Sequence, residues 1–361
     1  MTNDNHEDIV RQLHPRKIII PVIIGLGIVA WLVARDVNMN VLKEIVFTWK
    51  SVFWLIIAFM LVVVRTFFYM VRIRVLTNND LSWRQAFRVI MLWEFSSAIT
   101  PSTVGGTALA VIFLHKEGIN TGRSTAVTLA TSFMDELYFI IMLPVLLLII
   151  GGKTIFITSL QGTGTGLLNN LVLVGIIGYV IILVWVLLVG YGLFINPSAI
   201  SRLIVLVFKL HFLRKWKSSA EKAGTDLIES SAELKKESFK FWFNSLLSTF
   251  LTWTSRYWVV NAILLAFFKI NDHILIFARQ LVLWIMMIIS PTPGGSGFAE
   301  VILGRYLSDL IPADPVHVGG VALAMAFIWR IISYYPFLFA GVLIVPGWIQ
   351  RNFVRSPMNK R

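Results

Sequence analysis

Long apolar runs are the feature that most constrains what this chain can fold into. Residues 167–194 and 18–34 contain no charged side chain, and about 20 apolar residues are enough for a helix to cross a hydrocarbon core of roughly 30 Å. With 57% hydrophobic and only 14% charged residues, the 361-residue chain does not resemble a soluble domain. The length of the runs favours helices over a β-barrel. The chain is therefore predicted to be an all-α polytopic membrane protein.

The strongly basic balance is explained by membrane topology. The net charge is +13, and positive residues concentrate on the cytoplasmic side of membrane proteins. We therefore expect both termini in the cytoplasm of a bacterial-type cytoplasmic (inner) membrane, anionic membrane lipids as partners, and no nucleic acid. The chain has no cysteine, which excludes disulfides and thiolate chemistry. The four basic segments are Arg11–Lys17, Arg72–Arg88, Arg202–Lys240 and Arg351–Arg361.

One membrane domain is expected at residues 17–350, between a cytoplasmic tail at 1–16 and a basic cytoplasmic tail at 351–361. The first span is expected to stay uncleaved, because no small-residue cleavage site follows it. Residues 195–240 are predicted to be cytoplasmic, with an amphipathic helix at the interface and a charged helix in solvent. About six full spans are predicted, at 17–34, 49–70, 124–150, 167–194, 241–268 and 317–346, with shorter re-entrant hairpins at 89–116 and 274–308.

The two halves of the membrane domain, 17–150 and 167–346, contain related sequence. ITPSTVGGTALAV at 99–111 aligns with ISPTPGGSGFAEV at 289–301. The basic loops place the second half in the opposite orientation, so the two hairpins enter from opposite sides. Such an inverted-topology repeat is typical of secondary transporters, whose substrate site lies near the membrane midplane between broken helices.

The hairpin tips are the first candidate binding elements. A helix that begins inside the membrane presents free N–H groups and the positive end of its dipole, which suit an anionic oxygen such as that of a phosphate. The alternative is a pair of packed kinks in which glycine allows close helix contact. The tip candidates are Thr100, Ser102, Thr103, Gly105, Gly106 and Thr107, and Thr292, Pro293, Gly294, Gly295, Ser296 and Gly297.

Ionisable residues within spans are the second group of candidates, because they are costly in lipid and mark functional sites. Arginine suits a lipid phosphate because its planar fork binds two oxygens. Snorkelling or structural ion pairing is an equally good interpretation of each arginine alone. The repeat alignment places Glu136 opposite Arg330, which predicts a buried pair. The candidates are Arg65, Glu94, Asp135, Glu136, Arg256, Arg279, Glu300 and Arg330.

The sequence contains few signs of catalysis. The six histidines form no metal-ligand pattern, and there is no P-loop or GxSxG motif, so no cofactor or metal is expected. Two alternatives to lipid transport stay open: a transporter of a polar solute or ion, and a lipid-headgroup enzyme with Glu136 or Glu300 as acid or base. Uptake of a proton by Asp135, Glu136 or Glu300 is a further hypothesis.

Several segments together resemble the lysylphosphatidylglycerol synthase transmembrane region, a flippase-like family. They include EFSSAITPSTVGGTALAVIFLHKEGI, TLATSFMDELYF and WRIISYYPFLFAG, over about residues 15–350. The resemblance implies a stand-alone flippase-like transporter of an anionic phospholipid or lipid-linked carrier. It also suggests a separate lipid-modifying or glycosyltransferase enzyme as partner. The short tail predicts that no aminoacyltransferase domain follows, so we expect no enzyme activity. The most specific motif consists of Pro291, Pro293, Gly294, Gly295, Gly297 and Glu300.

Overall fold

The described part of the chain is helical throughout, which confirms the predicted all-α class. A computed structural model describes residues 46–100, 103–156, 171–207, 217–287, 298–314 and 316–354, and these contain no strand. Four helices are long and apolar enough to cross a membrane: Trp49–Leu76, Thr121–Ile150, Gly175–Ile195 and Val318–Asn352.

The helices lie where the apolar runs predict them. The predicted first span is outside the described residues, and the predicted fifth span is a 29-residue helix with several polar side chains. The count of six spans therefore stays a prediction. In chain order the helices are α1 (Trp49–Leu76), α2 (Trp83–Ile99), α3 (Thr103–Lys116), α4 (Thr121–Ile150), α5 (Gly152–Phe156), α6 (Leu171–Gly190), α7 (Pro197–Val207), α8 (Lys217–Lys235), α9 (Phe239–Phe267), α10 (His273–Met287), α11 (Phe298–Leu307), α12 (Val318–Ser333) and α13 (Tyr335–Ile349).

Polar caps fix the starts of several of these helices. Ser82 accepts from the backbone N–H of Gln85, whose side chain caps Ser82 in return, and this capping box begins α2. Asn120 caps α4 and Ser238 caps α9 through the same kind of side-chain bond. These caps satisfy N–H groups that a helix cannot satisfy internally, so the short polar connections determine where the apolar helices start.

Helices α1 and α9 form a long antiparallel pair. The Ser51 hydroxyl donates to the carbonyl of Ala266 over 2.8 Å, which joins the start of α1 to the end of α9. Farther along, Nη1 of Arg72 donates to the Thr249 hydroxyl over 3.0 Å. The two helices thus run in opposite directions.

Two helical hairpins start from opposite ends of this pair. Nε of Arg88, early in α2, donates over 2.9 Å to Glu117, just beyond α3, so α3 returns alongside α2. Arg279 in α10 donates over 2.9 Å to the carbonyl of Tyr306 near the end of α11. Because α2 follows the end of α1 and α10 follows the end of α9, the two hairpins begin at opposite ends of the bundle.

The predicted span 317–346 corresponds to the stretch Val318–Asn352, which is long and apolar enough to cross a membrane. It is interrupted at Tyr334, whose φ of −124° and ψ of −54° are not helical, between α12 and α13. Pro336 explains the interruption, because it has no N–H to donate to the preceding turn. The Tyr334 hydroxyl donates over 2.8 Å to the carbonyl of Ala98 near the end of α2. The break in the last span therefore lies against the first hairpin tip.

The segment 195–240 contains two described helices, and its predicted cytoplasmic location stays a prediction. A π-helical turn at Tyr191–Ile195 ends the preceding span, and α7 and α8 follow it. Helix α8 packs closely on α4, where the backbone of Gly122 lies against Asp226. A side chain at position 122 would occupy the space of Asp226, so glycine is required for this approach.

Candidate functional site

A cavity of about 600 Å³ lies inside the bundle, and both halves of the chain line it. Helices α1, α2, α3 and α4 contribute from the first half, and α6, α9, α10, α12 and α13 from the second. Seven of the residues singled out from the sequence line this cavity: Glu94, Thr100, Thr107, Asp135, Glu136, Arg256 and Arg330.

The first hairpin tip lies at the wall of the cavity. The Thr100 hydroxyl donates over 2.8 Å to the carbonyl of Ser96, which ends α2 with a polar side chain. In α3, Gly106 packs so closely on Ser97 that an added Cβ would lie 2.8 Å from the Cα of Ser97. Gly106 therefore brings the two hairpin helices together, as the packing alternative predicted, while Thr100 and Thr107 line the cavity.

Several of the predicted tip residues lie outside the described residues. For Thr103 and Gly105 the structure gives the helical backbone of α3 and no more. Their part in a binding site stays a prediction. The predicted tip residues for which nothing is described are Ser102, Thr292, Pro293, Gly294, Gly295, Ser296 and Gly297.

Most of the charged residues near the cavity are paired. Arg65 forms an ion pair with Glu94, and Arg65 lies behind it, outside the cavity wall. Arg72 binds both carboxylate oxygens of Asp135, at 2.5 and 3.2 Å, and the indole N–H of Trp253 donates to the same carboxylate over 2.7 Å. Such bidentate pairing satisfies the buried charge of Asp135.

The predicted pair of Glu136 and Arg330 is not formed. Nε of Arg330 lies 2.7 Å from Oε1 of Glu300 instead. Helices α11 and α12 pack directly on each other, so Glu300 is the nearer acid, and it is only 1% exposed. Glu136 lines the same cavity as Arg330 without bonding to it.

Arg256 lines the cavity and has no carboxylate partner among the described residues. Its guanidinium carbon lies 5.1 Å from the ring centre of Trp253 and 4.8 Å from that of Trp284. Among the described residues it has neither an ion-pair partner nor a hydrogen-bond partner. Cation–π contacts stabilise a guanidinium but leave its N–H groups free to bind an anion.

Further polar groups of the cavity wall are buried without a partner in the described structure. They are mostly hydrogen-bond donors, and a buried donor without a partner costs about 1–3 kcal/mol. These atoms are Oγ1 of Thr131, the Tyr257 hydroxyl, Nε1 of Trp284, Nη2 of Arg330 and Oε2 of Glu136.

Arg279 belongs to the scaffold and not to the cavity, which corrects its expected role. It is 2% exposed, and its guanidinium binds both carboxylate oxygens of Asp309, at 2.5 and 2.9 Å. It also donates to the carbonyls of Tyr306 and Thr154, at 2.9 and 3.3 Å. These bonds tie α10 to the end of α11 and to the short helix α5.

The sequence reasoning missed Arg72 and the aromatic walls of the cavity. Arg72 was counted among the basic residues of a cytoplasmic loop, although it lies seven residues after Arg65, two turns along the same face of α1. Trp253 lies three residues before Arg256, at the spacing of helical neighbours, and this spacing was the available signal. Nothing in the sequence indicated that Trp284 would meet them from another helix.

These features define a class: a multi-pass helical membrane protein with a charged, aromatic-lined cavity inside its bundle. The model of the lysylphosphatidylglycerol synthase transmembrane region matches residues 18–341, so the chain belongs to that family. It is also similar to a UPF0104 membrane protein of Archaeoglobus fulgidus, with 27% identity over 328 residues, which cover 86% of this chain and 93% of the relative. No solved structure matches the chain.

Proposed function

We propose that the protein is a flippase-like transporter that moves an anionic phospholipid or lipid-linked carrier between membrane leaflets. The observation that carries this proposal is Arg256, an unpaired guanidinium inside the cavity. An unpaired charge at membrane depth is costly, so its retention favours a guest of opposite charge. The fork of its N–H groups suits two oxygens of a phosphate.

Residues that share the cavity with Arg256 carry further donors. The Tyr257 hydroxyl, Nε1 of Trp284 and Nη2 of Arg330 are buried and have no partner in the described structure. Two acids of the wall, Glu94 and Asp135, do not compete for Arg256, because Arg65 and Arg72 bind them.

The wall at α6 favours a lipid over a water-soluble anion. Ile181 and Trp185 line the cavity and are still 48% and 44% exposed. They lie on one helical face with Ile177, Val184 and Leu188, which are also exposed and apolar. This continuous apolar surface supports a route by which acyl chains stay in the bilayer while the headgroup enters the cavity.

The arrangement of the hairpins supports alternating access as the mechanism. The hairpins begin at opposite ends of the antiparallel α1–α9 pair, as an inverted-topology repeat requires. We propose that the halves 17–150 and 167–346 rock about this pair and expose the headgroup first to one leaflet and then to the other. The basic loops support a cytoplasmic location for both termini. The remaining proposed partner is a separate lipid-modifying or glycosyltransferase enzyme.

A leaflet-exchange assay tests the function. Purified protein is reconstituted into liposomes that contain a trace of tail-labelled fluorescent lipid, and dithionite then bleaches the accessible leaflet. We expect exchange of anionic lipids well above that of protein-free liposomes, less exchange of phosphatidylcholine, and a strong loss in Arg256→Gln. Exchange at the protein-free rate for every anionic headgroup would refute the proposal. Conversion of a headgroup by the protein in detergent would favour an enzyme instead.

A further inference from the structure

Two neighbouring acids on α4 have opposite surroundings. Asp135 receives bonds from Arg72 at 2.5 and 3.2 Å and from the indole of Trp253 at 2.7 Å. Glu136 lines the same cavity, yet neither of its oxygens has a hydrogen-bond or ion-pair partner among the described residues, and Oε2 is buried. When adjacent carboxyl groups have such different environments, the paired one suits the ionised form and the unpaired one suits the protonated form.

Three of the cations near Glu136 are paired with other acids. Arg65, Arg72 and Arg330 bind Glu94, Asp135 and Glu300. The fourth, Arg256, lies beside the Trp253–Trp284 pair and is the proposed partner of the lipid phosphate. The cavity walls that α3, α6, α10 and α13 contribute in the described structure carry no charged side chain. The titratable and charged groups that share the cavity with Glu136 are Tyr69 and Arg72 of α1, Glu94 of α2, Asp135 of α4, Arg256 and Tyr257 of α9, Arg330 of α12 and Tyr334.

From this arrangement we infer that Glu136 is a proton-binding site, and that the protein takes up a proton with the lipid anion at pH values where Glu136 is ionised in the lipid-free protein. The inference rests on the proposed function. A phosphate beside Arg256 brings a second negative charge into the cavity with Glu136, and a like charge disfavours an ionised carboxylate. The phosphate is therefore accommodated when Glu136 is a neutral carboxylic acid. The proton comes from water on the side where the cavity opens, and it leaves when the headgroup departs on the other side.

The sign of the pH dependence follows from this linkage. Proton binding and anion binding favour each other, so affinity for the lipid rises as the pH falls. With one proton per anion, the dissociation constant changes by at most about tenfold per pH unit. A phosphodiester lipid such as phosphatidylglycerol is the appropriate probe, because its own charge is constant between about pH 5 and pH 9 and adds no titration.

Calorimetry tests the inference by counting protons. The full chain in detergent is titrated with short-chain phosphatidylglycerol at one pH, in two buffers of different ionisation enthalpy, and the titration is repeated across the pH range. We expect uptake that rises toward about one proton per lipid at the alkaline end of the range in wild type, fades as the pH falls, and is absent in Glu136→Gln, which still binds. Glu233→Gln, a change of an exposed acid on α8, serves as the control and takes up protons as wild type does.

Each outcome decides one claim. Lipid binding without proton uptake in wild type, or with uptake unchanged by Glu136→Gln, overturns the proton site and leaves the proposed transporter intact. If Glu136 instead binds the ammonium group of a lipid, a zwitterionic lipid will bind more tightly than phosphatidylglycerol and without proton uptake. This result also overturns the proton site. No lipid binding at any pH refutes the proposed function and the proton site together. If the glutamine variant does not fold, the wild-type proton count decides alone.

Discussion

Arg256 and Arg279 look alike in the sequence but have opposite roles in the structure, and matched glutamine variants separate them. Arg256→Gln removes an unpaired charge that lies beside the indole rings of Trp253 and Trp284. A hydrogen bond to a charged group contributes about 1.5–3 kcal/mol, so loss of this contact weakens anionic lipid binding about 10- to 100-fold. The melting temperature is expected to stay the same or to rise, because Arg256 has no carboxylate partner in the described structure that the substitution would leave unpaired.

Arg279→Gln is expected to act on stability instead. The variant loses two bonds to Asp309 and two to backbone carbonyls. Because the Asp309 side chain is 36% exposed, water compensates part of the loss, and we expect about 2–4 kcal/mol of destabilisation. This corresponds to a fall of several degrees in melting temperature. The fraction of Arg279→Gln protein that remains folded should bind lipid with wild-type affinity.

The assay combines thermal melting, followed by fluorescence-detected size exclusion, with a lipid titration of the fraction that remains folded. The reasoning is refuted if Arg256→Gln lowers the melting temperature as much as Arg279→Gln does, or if it binds anionic lipid as wild type does. It is also refuted if folded Arg279→Gln loses lipid affinity by the larger factor, because Arg279 would then contribute to the binding site.

Two further predictions concern the scaffold around the cavity. Arg330→Met leaves the carboxylate of Glu300, which is 1% exposed, without its partner, and should lower the free energy of unfolding by about 3–5 kcal/mol. The double variant Arg330→Met with Glu300→Gln should recover most of the lost melting temperature. No recovery would contradict the pairing. Gly106→Val forces the backbone of Ser97 away from α3 and should cost about 1–3 kcal/mol. Gly319→Ala, which has open space around it, should not lower the melting temperature, and equal losses in both variants would contradict the close contact.

The long apolar runs predicted several of the described helices. The predicted span 124–150 corresponds to α4, Thr121–Ile150, because hydrophobic length is a local property. The start of α4 at the Asn120 cap and the break at Tyr334 were not predicted, although both have local signals in the sequence. The inverted repeat with its two re-entrant hairpins stays a prediction.

The partners of the charged residues were beyond sequence reasoning. Alignment placed Glu136 opposite Arg330, but Glu300 is nearer because α11 packs against α12, and this depends on the three-dimensional approach of the helices. Whether an arginine has an acidic partner also depends on contacts between distant parts of the chain. Arg279 binds Asp309, 30 residues away, whereas the described contacts of the Arg256 guanidinium are with the rings of Trp253 and Trp284. For that reason the sequence identified the set of buried charges and left their roles open.

The central claim is that an anionic lipid headgroup occupies the cavity beside Arg256, and an electron cryomicroscopy map of the protein in nanodiscs rich in phosphatidylglycerol tests it most directly. We expect phosphate density within hydrogen-bonding distance of the Arg256 guanidinium, with acyl-chain density leading out past Ile181 and Trp185. The same map from Arg256→Gln should lack that density. A cavity that holds only water in wild type, with every lipid phosphate at the periphery of the bundle, would contradict the account.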